Sequence, residues 1–137
     1  MTDETTELVL PSRVESVAEA AAAADDVARR VGLSEEAAYG LDLAVREAVT
    51  NAVLHGNKQD AGVPVEITFA DSAAQLVVTV RDRGQGFNPT EVADPTDPQN
   101  LLKTSGRGIL FMRSFMDEVE WGPHPEGGTV VRMTKKK

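Results

Sequence analysis

A helical segment with two chemically different faces, over residues 34–55, constrains the fold of this chain more than any other feature. Spacings of three and four residues gather an apolar set on one face, made of Leu41, Val45, Ala48, Val49, Ala52 and Val53. Glu47, Asn51 and His55 fall together on another side of the same helix. We therefore expect one face to pack into a core while the other stays available for chemistry.

Two further helices are predicted on either side of this segment in the sequence. Residues 14–31 are rich in alanine and end at Gly32, and glycine commonly closes a helix in the left-handed conformation. Ser34, followed by two glutamates, is typical of the N-cap and first turn of the two-faced helix. Residues 107–116 resume helical spacing near the C-terminus.

The strand patterns predict a sheet that these helices can cover. Residues 63–69 and 75–80 are β-branched runs separated by a polar turn at residues 71–74, which is the pattern of a hairpin. Shorter strand patterns occur at residues 7–12, 118–121 and 128–133. The fold class that follows is α+β, with one mostly antiparallel sheet and helices on one face.

Length and composition restrict the cellular setting. With 137 residues, the chain is long enough for one domain over residues 1–137 and too short for two. Cysteine is absent, which excludes thiolate chemistry and fits a reducing compartment, so we expect a cytoplasmic protein. No apolar stretch approaches the roughly 20 residues that span a bilayer, and the N-terminus is acidic, so we expect neither a signal peptide nor a membrane span.

The formal net charge of -8 makes nucleic acid an unfavourable direct partner. The one basic run, at residues 135–137, is interpreted as a terminal tail. The same acidity repels a nucleotide at long range, so a nucleotide site in this chain would need a metal ion and local hydrogen-bond donors.

Glu47 and Asn51 are four residues apart, which brings a carboxylate and an amide oxygen to neighbouring points of one helix face. Mg²⁺ prefers oxygen ligands and keeps several waters, so Asn51 is a candidate ligand for a magnesium triphosphate. Glu47 is a candidate general base that accepts a proton from an attacking hydroxyl or water. The alternative is a solvated helix face with no catalytic role.

Asp82 directly follows the second predicted strand of the hairpin and opens the sequence DRGQG. Gly84 and Gly86 allow positive φ and a close approach of a flat ligand to the backbone. A buried carboxylate can accept a hydrogen bond from the exocyclic amine of adenine, whereas guanine presents a carbonyl there. The alternative is a tight loop after a strand.

A nucleotide site also needs donors for phosphate, and the sequence SGRG at Ser105 to Gly108 supplies candidates. The backbone amides of Gly106, Arg107 and Gly108 lie where an aperiodic, proline-containing loop meets the predicted third helix. That loop, residues 88–104, is interpreted as long and mobile. Arg107 could contact phosphates or could be a solvated side chain. The sequence GxxxxGK[ST] does not occur, which excludes a Walker-type ATPase.

Three residues outside these motifs have structural interpretations. Thr129 follows two glycines before the last predicted strand, and its hydroxyl could bond the candidate adenine-binding carboxylate or the base, although the segment alone reads as a turn. His55 precedes Gly56 at a helix end, where capping is the simpler role. Trp121 is assigned to the core, since aromatic residues are too few for a nucleic-acid stacking platform.

The order EAVTNAVLHGN, DRGQGF, SGRGILFM and GGT resembles the ATPase superfamily of gyrase, the heat-shock chaperones, histidine kinases and the DNA mismatch-repair ATPases. The match spans roughly residues 34–134. Within that superfamily, the short chain and the wording of the first motif look most like the bacterial anti-sigma-factor serine kinases. The resemblance implies a Bergerat-type two-layer sandwich that binds ATP and Mg²⁺ between its helices and its sheet.

The resemblance also implies a role for each motif residue. Glu47 matches the family's catalytic base, Asn51 its magnesium ligand, and Asp82 its adenine-binding acid. The nucleotide loops match at Gly84, Gly86, Gly106 and Gly108, the last motif matches at Thr129, and the role of Arg107 stays open. The ATP lid corresponds to about residues 88–105.

Kinases of this kind hold a sigma factor inactive and phosphorylate a serine on an antagonist protein, an anti-anti-sigma factor of the STAS type. Relatives are often dimers, so a homodimer is a further state that the resemblance implies. Two alternatives remain: a regulatory ATP-binding module without kinase activity, and the ATP domain of a histidine kinase, which lacks support because the chain offers no long helical pair with a phosphoacceptor histidine.

Overall fold

The fold is built on one antiparallel sheet. A computed structural model of the chain describes residues 4–57, 60, 62–83, 112 and 115–137, without the side chain of His55. In these residues the sheet has five strands: β1 Glu4–Pro11, β2 Pro64–Asp71, β3 Gln75–Arg81, β4 Glu118–Pro123 and β5 Thr129–Lys136. Their order across the sheet is β1-β2-β3-β5-β4, and every neighbouring pair is antiparallel. The predicted hairpin is confirmed as β2 and β3.

Two helices precede the hairpin. Helix α1 covers Glu15–Val31 and ends at Gly32, whose φ of 78° is the left-handed conformation expected of a closing glycine. Helix α2 covers Glu35–Asn51, and the Ser34 hydroxyl oxygen accepts a 3.1 Å hydrogen bond from the backbone N–H of Ala37. Both predicted helix boundaries at residues 32 and 34 are confirmed, because local capping chemistry fixes them.

The end of the two-faced helix differs from the prediction. The sequence predicts a helix to about residue 55, but the α-helical pattern stops at Asn51 and a π-helical turn, Ala52–Gly56, follows. The N–H of Asn57 closes this turn by donating to the carbonyl of Ala52 at 2.8 Å. A π turn widens the helix by one residue and is frequent beside functional sites. Residue spacing does not reveal it, because the apolar pattern continues through the turn.

The core lies between the two helices and one face of the sheet. All six residues of the predicted apolar face, which α2 and the π turn carry, are buried there. They lie opposite the inward side chains Val65, Ile67, Phe69, Leu76, Val78 and Val80 of the hairpin. Alternation along β2 and β3 puts every second residue into this layer. The predicted α+β class, with helices on one face of an antiparallel sheet, is confirmed.

Several boundaries differ from the sequence predictions. The basic run at the C-terminus is not a free tail: β5 continues to Lys136, and Lys137 donates its N–H to the carbonyl of Ala74 and forms an ion pair with Asp71.

Most of the predicted helix 107–116 lies outside the described residues, although Met112 and Phe115 are helical. The loop 88–104 lies outside them entirely. Within the described part of the chain, no helix has the length and apolarity needed to cross a membrane.

Candidate functional site

A pocket opens between α2 and the sheet, where β3 ends and β5 begins. The end of the helical segment and the strands β3, β4 and β5 form its walls. The lining residues are Ala48, Asn51, Ala52, Val80, Asp82, Met112, Trp121, Thr129 and Val131. Three of the residues predicted from sequence, Asn51, Asp82 and Thr129, therefore face one space. The polar groups lie among apolar walls, which is the usual composition of a small-molecule site.

The helix contributes Asn51 to the pocket wall, and Glu47 lies one turn earlier, outside the set of lining residues. Asn51 is the last residue of α2, and its side chain is half-buried at the pocket wall. Glu47 is also half-buried, and burial raises the pKa of its carboxyl above the usual value of 4.5 because the charged form loses hydration. A carboxylate with a raised pKa is a stronger proton acceptor than a fully hydrated one.

Asp82 follows the last residue of β3 and is 5% exposed. Its backbone N–H donates to the carbonyl of Thr129 at 3.0 Å, and the N–H of Thr129 donates to the Oδ1 atom of Asp82 at 3.3 Å. This two-way pairing attaches the carboxylate to the first residue of β5. From sequence, the Thr129 hydroxyl could bond this carboxylate or the adenine base, and the backbone N–H of Thr129 is a further donor to the carboxylate.

Gly128 allows β5 to approach Asp82 this closely. Its φ of 83° is in the left-handed region, and a Cβ at this position would overlap the carbonyl oxygen of Asp82. Gly127 also has a positive φ, of 102°, but a Cβ there would meet open space. The sequence marked these glycines as a turn, and the structure adds that only Gly128 is needed for the contact with Asp82.

Asn57 connects the end of the π turn to the segment that carries Asp82. The side chain is 4% exposed, and its Oδ1 accepts a 2.8 Å hydrogen bond from the N–H of Arg83. Its Nδ2 donates to the Ser12 hydroxyl at 2.8 Å and to the Pro64 carbonyl at 3.1 Å. The sequence motifs assign no role to the Asn57 side chain. Its place as the final residue of EAVTNAVLHGN is the one signal that could have pointed to it.

Arg83 also forms an ion pair with Glu66 of β2. Its guanidinium contacts Glu66 at 2.9 Å, and Arg81 contacts the same carboxylate at 3.3 Å. The hydrogen bond from Arg83 lowers the pKa of the Glu66 carboxyl, which keeps it ionised. The residue after Asp82 is thus attached on both sides of the sheet.

The remaining predicted residues cannot be compared with the structure. The residues Gly84, Gly86, Ser105, Gly106, Arg107 and Gly108 all lie outside the described residues.

Trp121 packs against the core as predicted, but it also lines the pocket, and the sequence did not predict that position. Its inward position on β4 was available from the strand pattern, whereas its neighbourhood depends on β4 pairing with β5.

No group of three or more histidine, aspartate or glutamate side chains in the described part of the chain converges in a way that could hold a metal ion. Asn51 nevertheless offers an amide oxygen at the pocket wall, with the Glu47 carboxyl one turn away. This donor set fits Mg²⁺ that takes most of its ligands from phosphates and water.

Comparison with known families agrees with this geometry. Residues 10–135 match the family described as histidine kinase-like ATPase domain. The match runs from the end of β1 to residue 135 in β5, and it includes both helices and the pocket residues. The chain therefore belongs to this family of ATPase domains, and an ATPase domain implies a site for ATP.

The curated relatives of this chain include bacterial anti-sigma F factors. The anti-sigma F factor of Bacillus velezensis is 40% identical over 97 residues, which cover 66% of this chain and 64% of the relative. The anti-sigma F factor of Bacillus thuringiensis is 41% identical over 95 residues, with the same two coverages of 66% and 64%. The chain thus spans slightly less than two thirds of the length of the relatives it matches.

The close approach at Gly128 leads to a prediction about stability. We expect Gly128→Ala to lower the free energy of unfolding by about 3 kcal/mol or more, because backbone strain adds to overlap with Asp82. Gly127→Ala is the matched control, with a positive φ but open space, and should cost about 1–3 kcal/mol. Urea denaturation measures both, and equal losses in the two variants would contradict the proposed contact.

The raised pKa of Glu47 predicts how stability depends on pH. The native state holds the proton on Glu47 more tightly than the unfolded chain does, so the contribution of Glu47 to stability falls as pH rises above about 4.5. We expect Glu47→Gln to have a higher Tm than the wild type at pH 7, with a difference that shrinks towards pH 4. The exposed Glu19→Gln serves as the control, and a Glu47→Gln difference that does not change with pH would contradict the account.

Proposed function

We propose that this protein is an ATP- and Mg²⁺-dependent protein serine kinase that also acts as an anti-sigma factor. The observation that carries the proposal is the convergence of Asn51 and Asp82 on one pocket, with Glu47 one helical turn from Asn51. Membership in the family of histidine kinase-like ATPase domains and similarity to anti-sigma F factors support the same interpretation.

Asp82 is the proposed adenine-recognition residue. Its carboxylate is buried and oriented by Thr129, so it can accept a hydrogen bond from the exocyclic amine of adenine without a large loss of side-chain entropy. Guanine would present a carbonyl oxygen to the carboxylate, which is repulsive. Val80, Val131 and Trp121 supply apolar walls beside this group.

The phosphates and the metal ion are assigned to the other end of the pocket. Asn51 would hold Mg²⁺ through its amide oxygen, and the ion would neutralise charge on the triphosphate. Phosphate contacts are proposed for the segment Ser105 to Gly108, in which Arg107 could also be a solvated side chain. The family resemblance implies nucleotide loops at Gly84, Gly86, Gly106 and Gly108.

The proposed reaction transfers the γ-phosphoryl group of ATP to a serine hydroxyl. The serine oxygen forms a bond to the γ-phosphorus while the bond from that phosphorus to the β,γ-bridging oxygen breaks, which releases ADP. The hydroxyl proton passes to the carboxylate of Glu47. Burial raises the pKa of this carboxyl, which makes its carboxylate form a stronger proton acceptor.

The partners follow from the relatives rather than from the pocket. Similarity to proteins named anti-sigma F factor supports a sigma factor as the sequestered partner. An anti-anti-sigma antagonist of the STAS type is proposed as the phosphoacceptor, with no direct contact to nucleic acid, and the functional unit is proposed to be a cytoplasmic homodimer. The net charge of -8 is compatible with protein rather than nucleic-acid partners.

Phosphoryl transfer by Glu47 is tested with radiolabelled ATP and the antagonist that co-purifies with this protein from its host. We expect Glu47→Gln to bind ATP within about 3-fold of the wild type and to transfer phosphate to serine at least about 100-fold more slowly, because a general base contributes that much. Glu36→Gln, on the same helix, is the control and should keep its activity.

Two results would contradict the kinase proposal. A Glu47→Gln variant with wild-type transfer would exclude this residue as the base. Absence of phosphoserine with the wild-type chain, together with normal ATP binding, would instead favour the alternative of a regulatory ATP-binding module without kinase activity.

A further inference from the structure

We infer that Asn57 is a positioning residue for nucleotide recognition: its buried side chain sets the distance between the helix end that carries Asn51 and the strand end that carries Asp82. Asn57 does not line the pocket. The inference rests on the proposed nucleotide site and assigns a function to a residue that the motif resemblance leaves without one.

Asn57 lies at the junction of three segments that surround the pocket. Its N–H ends the π turn that begins directly after Asn51, through the 2.8 Å hydrogen bond to Ala52. Its Oδ1 accepts from the N–H of Arg83, the residue next to Asp82, also at 2.8 Å. A path of one short turn and one hydrogen bond therefore connects the proposed metal ligand to the proposed adenine ligand.

The other side of the amide is attached to the first loop and the start of β2. Ser12 accepts from Nδ2 and donates its own hydroxyl to the carbonyl of Val63 at 2.5 Å, and the Pro64 carbonyl also accepts from Nδ2. Ser12 is itself fully buried. With both amide ends bonded to different segments, the side chain cannot turn over without breaking several buried hydrogen bonds.

The chemistry of the side chain explains why an amide suits this position. Its oxygen must accept from a backbone N–H, and its nitrogen must donate to a hydroxyl and a carbonyl, so one group has to supply both functions. Aspartate can replace only the accepting half at neutral pH. An aspartate at this position would therefore keep the hydrogen bond from Arg83, which positions Asp82. It would lose the donation to Ser12 and Pro64, which stabilises the fold.

The test compares affinities for ADP and GDP, each with Mg²⁺, by calorimetry at a temperature where every variant is folded. We expect Asn57→Ala to reduce the preference for ADP at least about 10-fold, because small displacements of a ligand-binding group are costly. Asn57→Asp should retain the preference within about 3-fold, since it keeps an oxygen for the N–H of Arg83. Both variants should have a lower Tm than the wild type.

Ser16→Ala is the matched control for a purely structural effect. Ser16 is buried and donates a 2.6 Å hydrogen bond to the carbonyl of Pro11, so its removal lowers stability without a change beside Asp82. We expect this variant to lose stability and to keep the wild-type preference for ADP. An Asn57→Ala variant that behaves in the same way would overturn the inference.

A second measurement uses the wild-type chain and does not depend on the variants folding. Addition of ADP with Mg²⁺ should shift the NMR signals of the Asn57 side-chain amide and of the Arg83 backbone amide more than the backbone signal of Ser16. Unshifted Asn57 and Arg83 signals on ADP binding would also overturn the inference. If the wild type binds neither ADP nor GDP, the proposed nucleotide function fails instead, so the two failures are distinguishable.

Discussion

The pairing between Asp82 and Thr129 is the interaction on which the pocket depends. A buried carboxylate is costly unless hydrogen-bond donors compensate for lost hydration, and the N–H of Thr129 supplies one. The contact requires β5 to begin beside the end of β3, which the antiparallel pairing of these strands provides. It also requires Gly128, because a side chain there would occupy the space of the Asp82 carbonyl. The position of the Asp82 carboxylate therefore depends on both the strand order and the turn conformation at Gly128.

Helix α2 supplies the other side of the pocket, because one of its faces packs in the core while Asn51 lines the pocket. The buried apolar face fixes the helix against the sheet, which in turn directs Asn51 towards the pocket opened beside Asp82. The π turn after Asn51 then redirects the chain so that Asn57 reaches the N–H of Arg83. Rigid elements thus carry both ends of the pocket, as precise ligand positioning requires.

Much of this architecture could be predicted from sequence because it depends on local patterns. Helix ends at Gly32 and Ser34 follow from capping chemistry, and the hairpin follows from alternation around a polar turn. The π turn could not be predicted, because the apolar pattern continues through it. The network of Asn57 could not be predicted either, because its side chain bonds residues up to 45 positions away. Trp121 as a pocket wall was missed for the same reason: which strand lies beside it is a property of the sheet order.

The central claim is that this pocket selects an adenine nucleotide through Asp82. Calorimetric titration of the wild-type chain with ADP and with GDP, each in the presence of Mg²⁺, tests it most directly. We expect ADP to bind at least about 100-fold more tightly than GDP, because a buried carboxylate repels the guanine carbonyl. Equal affinity for the two nucleotides, or binding of neither, would contradict it.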